Sequence, residues 1–361
     1  MNSKDRIPIK RRGSQIAPAN RFESIHREPS FEHVEHEDEL QVGGRIIPSQ
    51  FIPDESKSLL TENTSPDIPF RWSINPYRGC EHGCVYCYAR PTHEYLGMNA
   101  GIDFETKIMV KLRAPDLLRD ELARPSWQPE PISMSGVTDC YQPAERKFRL
   151  TRGCLEVLLE ARQPVTIVTK NSLVLRDLDL LRQMSALNII HVAVSVTTLD
   201  RELAHTMEPR TSPPAERLRA IRELNQAGIP VNVMVAPVVP GLTDSEMPEI
   251  LRAAKEAGAR AAGYIMLRLP LNVLPVFLDW LQRSYPLKQK RVESHIRSMR
   301  GGRMNDPNFG TRMRGQGLMA DQIENFFDVF TKKYGLDGDL PELDCSKFRP
   351  PRSASGQLRM F

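Results

Sequence analysis

The run Cys80-Glu-His-Gly-Cys84-Val-Tyr-Cys87 places three cysteines in a CxxxCxxC spacing, directly after a strand-like segment at 70–75. Thiolate is a soft, anionic ligand suited to iron–sulfur chemistry and to zinc. Three thiolates on one short loop cannot fill four positions around a metal site. A [4Fe–4S] cube held by three cysteines keeps one iron open to a substrate or cofactor. The rival is a structural Cys3His zinc site, completed by His82 or His93. Zinc usually draws its ligands in two separated pairs, and no second cysteine pair follows here, which favours the cluster. Gly79 and Gly83 let such a loop turn tightly and bring its N–H groups toward the sulfurs. Cys140 stands apart from the motif, either as a reactive thiol or as a buried free one.

The elements that must position this loop form a repeat. Apolar strand-like runs occur at 132–135, 165–168, 189–194, 231–236 and 262–267, about thirty residues apart, the length of a βαβ unit. Amphipathic segments separate them: Cys154, Leu155, Leu158 and Leu159 share one helical face, and Asp244 or Ser245 is placed to cap a helix running to Ala257. With the strand before Cys80 this gives six parallel strands in an α/β fold, lying open or curled into part of a barrel. In either case ligands sit at the carboxyl ends of the strands, where the cysteine loop falls. The last sixty residues depart from the pattern, with glycine-rich loops at 301–310 and 314–317 and a helix at 321–334 carrying Ile323, Phe326, Phe327 and Phe330 on one stripe.

The block Ser73-Ile-Asn-Pro-Tyr-Arg-Gly-Cys80 through Cys87-Tyr-Ala-Arg90 resembles the cluster loop of the radical S-adenosylmethionine (SAM) superfamily. More narrowly it is similar to the branch related to spore photoproduct lyase, often labelled DNA-repair photolyase, and residues 93–107 resemble an uncharacterised subgroup of that branch. The resemblance covers about residues 45–320. It implies a partial (β/α)6 TIM-like barrel of radical SAM type. It also implies a [4Fe–4S] cluster on Cys80, Cys84 and Cys87, with SAM on the fourth iron. One electron, from a donor such as flavodoxin or ferredoxin, would cleave SAM to a 5′-deoxyadenosyl radical that abstracts hydrogen from the substrate. The family pattern places Tyr86 near the SAM adenine, Thr138 or Asp139 at its amino group, Lys170 at its carboxylate and Ser195 at its ribose. Glu208-Pro-Arg210 reads as a further polar contact or a structural turn. Spore photoproduct lyase uses a cysteine as hydrogen-atom donor near the second strand end, where this chain has Gly136. Cys140, four residues on, and Tyr141 are the candidates left for a catalytic donor, and the mismatch sets this chain apart from that enzyme's own reaction. The substrate class implied is nucleic acid, for lyase-like repair or modification; a peptide, tRNA or small molecule is the other radical SAM reading. A zinc-bearing nucleic-acid-binding module is the non-enzyme alternative.

Composition bounds these readings. With 40% hydrophobic and 26% charged residues, the chain suits a soluble globular enzyme of one large or two modest domains. No apolar run is long enough to span a membrane, and the basic start lacks the apolar core of a secretory signal. A cytoplasmic location is expected, with cysteines reduced. Nine Lys/Arg against two carboxylates between Arg283 and Arg314 suit a polyanion such as DNA. Residues 1–44, with His26, His33 and His36 among glutamates, read as a flexible polar extension, and 45–69 as a lead-in. Residues 70–285 form the barrel, 286–345 a basic glycine-rich region, and 346–361 a disordered tail. That tail ends in Gln357, Leu358, Met360 and Phe361, which resemble the short peptide that binds the bacterial DNA sliding clamp.

Overall fold

The computed structural model describes residues 8–23 and 45–352. The histidines His26, His33 and His36 and the clamp-like Gln357–Phe361 segment lie outside the described residues.

Among the described residues there are ten strands. β1 (Gln50–Pro53), β4 (Tyr77–Arg78) and β5 (Lys107–Val110) form a small sheet in the order β1-β5-β4. The main sheet has seven strands, ordered β10-β9-β8-β7-β6-β3-β2. Its parallel members are β3 (Trp72–Ile74), β6 (Ile132–Met134), β7 (Val165–Thr169), β8 (Ile190–Ser195), β9 (Val231–Val238) and β10 (Ala261–Met266). β2 (Leu60–Glu62) adds an antiparallel edge. The six parallel strands are those expected from the apolar runs, and they follow sequence order across the sheet, as repeated right-handed βαβ units require.

The sheet curls without closing, since no ladder joins β10 to β2 or β3. Tyr88 reports the curvature. Its hydroxyl donates to Gly136 O, just past β6, while the Arg268 guanidinium, just past β10, lies 5.9 Å from its ring centroid. Strands four places apart in the sheet thus meet at one side chain. Across the open seam, Arg312 pairs with Asp67 and donates to Ser65 Oγ at 2.6 Å, and Gly310 N donates to Asp67 at 2.6 Å. The outer edge of β10 is covered by the C-terminal region, with Ala262 N donating to Leu336 O and Met266 N to Met313 O.

The main core lies between the sheet and the helices on its outer face. Cys154, Leu155 and Leu158 of the helix Leu150–Ala161 pack there with Val165, Ile167, Val192 and Val233. Three sequence expectations change. Asp244 does not cap the helix Met247–Glu256: it lies in a preceding 3-10 turn, where its carboxylate accepts from Gly241 N. In the helix Leu318–Tyr334 only Ile323 and Phe327 of the aromatic stripe are buried, and Phe326 is exposed. Residues up to 352 are packed against the domain, with Arg349 N donating to Ala161 O and Lys347 Nζ to Leu187 O.

Candidate active site

The cysteine loop leaves β4 at the carboxyl end of the parallel strands. Its path is set by backbone bonds: Cys80 N to Phe104 O at 2.9 Å, Val85 N to Met207 O at 3.1 Å and Cys87 N to Cys84 O at 3.2 Å. Gly79 and Gly83 have φ of +79° and +67°. A Cβ on Gly79 would meet His93 Cε1 at 2.7 Å, and one on Gly83 would meet Glu105 Oε2 at 2.6 Å. Both conformation and space therefore demand glycine.

Beneath the loop lies a polar brace absent from the sequence reading. Arg90 is fully buried and donates to the carbonyls of Gly83, Cys84, Ala100 and Gly101. Its Nη2 also lies 2.6 Å from Glu105 Oε1. Glu105 accepts in turn from Gly13 N at 2.9 Å and Ser14 N at 2.7 Å, and Arg12 Nη1 donates to Glu105 O at 2.6 Å. Residues 12–14 therefore form a buried strap over the loop, whereas a flexible extension was expected there. Gln142 reads the loop backbone from the other side, accepting from Glu81 N at 2.9 Å and donating to Gly79 O at 3.1 Å.

Cys80, Cys84 and Cys87 are all free thiols brought together on this loop; Cys80 and Cys84 are buried and Cys87 is partly exposed. Burial pushes all three thiols up; Asp139 adds to the shift at Cys80 and Glu208 at Cys84, while Lys170 opposes it at Cys84 and Cys87. Only a strongly Lewis-acidic partner would keep them ionised. Among the described residues no group of three or more His, Cys, Asp or Glu side chains is placed to hold a single metal ion. The Cys3His zinc arrangement is thus not formed. His82 lies between Asp139 (Nδ1–Oδ2 3.4 Å) and Asn171 (3.1 Å), and His93 Nε2 donates to Lys107 O at 2.9 Å. A cubane spreads three thiolates over three irons and does not need them to converge on one point, so this donor set fits a [4Fe–4S] cluster.

The remaining predicted residues divide into two groups. Tyr86 and Lys170 stand beside the cysteines. Lys170 Nζ lies 5.9 Å from the Tyr86 ring centroid, and among the described residues no carboxylate is within ion-pair distance of it. The Tyr86 hydroxyl donates to Glu208, which also accepts from Thr197 Oγ1 at 2.7 Å and pairs with Arg217. Burial raises the Glu208 carboxyl, but Arg217 and Lys170 outweigh it and hold it below the usual range. Arg217 donates further to Ser195 O and Ser212 O, so Ser195 meets the site through its backbone. Glu208, named in the sequence as a contact or a turn, is the buried hub of this side.

The second group is turned into the protein. Asp139 accepts from Thr169 Oγ1, Lys170 N and Tyr141 N at 2.8–2.9 Å, besides facing His82. Burial raises its carboxyl, yet these partners, His82 first, hold it below the ordinary range. Thr138 Oγ1 donates to Tyr77 O at 2.9 Å. Cys140 has no exposed surface: its N–H donates to Ser135 Oγ and its carbonyl accepts from Thr151 Oγ1. Tyr141 is equally buried and donates to Asp177 on the outer side of the barrel, within an ion cluster with Arg152 and Arg176. Tyr88, next to Cys87 and half exposed, is the aromatic side chain that the strand-end reading missed.

Residues 74–254 match the Radical SAM superfamily. This chain belongs to that superfamily. Its members use a [4Fe–4S] cluster and SAM, and the three-cysteine loop fits the cluster. An uncharacterised protein of Mycobacterium tuberculosis is 41% identical over 221 residues, 61% of this chain and 65% of the relative, so the chain spans less than two thirds of that relative's length. An uncharacterised protein of Methanocaldococcus jannaschii is 32% identical over 216 residues, 60% of this chain and 77% of the relative. Among solved structures, spore photoproduct lyase complexed with dinucleoside spore photoproduct superposes with a TM-score of 0.58 at 16% identity, covering 79% of each chain. A mutant of that enzyme with bound AdoMet and dinucleoside spore photoproduct gives 0.57 at 16% identity, covering 79% of this chain and 78% of the other. At that identity the likeness is one of fold alone.

Proposed function

We propose that this protein is a radical SAM enzyme acting on nucleic acid, in lyase-like repair or in modification. The observation that carries the reading is the trio of free thiols on one loop, two buried and one partly exposed, beside a lysine with no carboxylate within ion-pair distance among the described residues. Cys80, Cys84 and Cys87 would hold the cluster, leaving one iron for the amino and carboxylate groups of SAM. When bound and reduced, that pair supplies homolytic cleavage of SAM and a carbon radical that removes hydrogen from a substrate.

The chain's own residues bind, orient and shield. Lys170 supplies a cation to the SAM carboxylate, a charge-assisted contact in a water-poor site. Tyr86 offers a ring whose hydroxyl is fixed by Glu208. The Arg90–Glu105 brace and the strap hold the loop's shape so that the thiols need not reorganise on metal binding. Cys140 and Tyr141, both sealed in the interior, are poorly placed to donate hydrogen to a substrate in the barrel mouth. The nucleic-acid reading draws on the basic segment from Arg283 to Arg314 and on the fold shared with an enzyme that binds a dinucleoside lesion. The clamp-like tail would give such an enzyme a route to replicating DNA.

Anaerobic reconstitution with iron, sulfide, SAM and dithionite tests the chemistry. Brown protein with about four irons per chain that releases 5′-deoxyadenosine is expected. Alanine at any one of Cys80, Cys84 or Cys87 should abolish that release; undiminished release would reject the cluster assignment.

A further inference from the structure

Two arginines at the carboxyl end of β10 carry buried donors with no acceptor. Arg300 is only 5% exposed; its Nη2 donates to Leu267 O at 2.6 Å, while its Nη1 is buried without a partner. Arg268, the next residue after Leu267, has a buried, unpartnered Nε, and its Nη1 meets only the Met313 sulfur at 3.5 Å. Neither pairs with a carboxylate among the described residues. The nearby acids are committed elsewhere: Asp67 to Arg312 and Gly310 N, Asp306 to Thr311 Oγ1 and Asn308 N. Leaving a buried donor unsatisfied costs about 1–3 kcal/mol, more for a charged group. An anion bound between the two guanidinium groups would supply the acceptors these donors lack.

The neighbourhood indicates which anion. The Arg268 guanidinium lies 5.9 Å from the ring centroid of Tyr88, the residue after Cys87, and Tyr88 is 49% exposed. An open aromatic face next to two planar forks suits a nucleobase on the ring and its phosphate on the arginines.

We propose that Arg268 and Arg300 form an anion site taking a phosphate group, supplied by a substrate phosphodiester whose base stacks on Tyr88 beside the cysteine loop. The phosphodiester rests on the nucleic-acid reading above; the anion site does not.

The reconstituted full chain tests it with two probes: inorganic phosphate against chloride at matched ionic strength, and a thymidine dinucleotide joined by a phosphodiester or by an uncharged methylphosphonate. Phosphate is expected to raise the melting temperature beyond chloride, and the diester to bind about tenfold or more tighter than the methylphosphonate. Arg268→Gln and Arg300→Gln should each erase both differences. Should Arg300→Gln fail to fold, Arg268→Gln carries the test, because Arg268 makes no structural hydrogen bond stronger than its thioether contact. A phosphate response in Arg268→Gln equal to that of the unaltered chain, or none in the unaltered chain, overturns the site. A phosphate response lost in Arg268→Gln, with neither dinucleotide bound, keeps the anion site and rejects nucleic acid as its source.

Discussion

Gly13 lies directly against the backbone of Gly83: a Cβ on Gly13 would sit 1.8 Å from the Gly83 carbonyl oxygen. A residue far from the cysteines in sequence therefore touches the middle of their loop. Both glycines also contact Glu105, whose carboxylate accepts from Gly13 N and would be struck by a Cβ on Gly83.

Gly13→Ala must then push the strap off the loop. We expect a loss of about 1–3 kcal/mol of stability, the usual cost of overpacking. The reconstituted variant should also give up iron to a chelator faster than the unaltered protein. Chelation kinetics followed by visible absorbance check this; unchanged kinetics would mean the strap does not support the metal site.

Lys170→Met should weaken SAM binding while leaving iron content intact, because among the described residues no carboxylate lies within ion-pair distance of the lysine and Glu208 keeps Arg217 as its partner. Loss of a charge-assisted hydrogen bond is worth about 1.5–3 kcal/mol, so the dissociation constant for SAM should rise about tenfold to a hundredfold. Equilibrium binding to the reconstituted protein reads this directly.

Arg90→Met removes one half of a fully buried pair and leaves the Glu105 carboxylate without its cation. Breaking such a pair costs about 3–5 kcal/mol. Denaturant unfolding of the metal-free protein should show the loss, which separates it from any effect on the cluster. Glu105→Gln should be milder, since its amide oxygen can still accept from a strap N–H.

Glu208 makes stability depend on pH in a defined direction. Its carboxyl is held below the ordinary value in the folded protein, by Arg217 foremost among the opposing charges. The stabilisation from ionised Glu208 is therefore complete above the unfolded value, about 4.3, and is lost as pH falls through the lower folded value. Glu208→Gln should be less stable than the unaltered chain at pH 7, by about 3–5 kcal/mol for the broken pair. The gap should narrow below about pH 4. Thermal melts across pH 3–7 measure it, and a gap that stays constant would contradict the assignment.

The central parallel strands could be read in the sequence because β7, β8 and β9 are runs rich in Val and Ile, such as Val165–Thr169 and Val231–Val238, whose burial favours that composition. The cysteines could be read because their spacing is local. Arg90, Glu105 and Gln142 could not. Each is a charged or polar residue that looks like any surface position until a partner from far along the chain is known, as Gly13 is for Glu105. The small sheet of β1, β5 and β4 escaped for a related reason. Its strands are two to four residues long and pair across more than thirty positions. Cys140 shows the converse: a reactive residue type near a plausible strand end, which packing places wholly inside.

The hydrogen bonds from Ala262 and Met266 to the chain beyond residue 310 carry a practical warning. They occupy amide groups on the last strand that would otherwise be free to recruit a foreign strand. An expression clone shortened to the catalytic core, ending near residue 285, would uncover that ribbon. Its product should self-associate and precipitate even though every cysteine of the motif is retained.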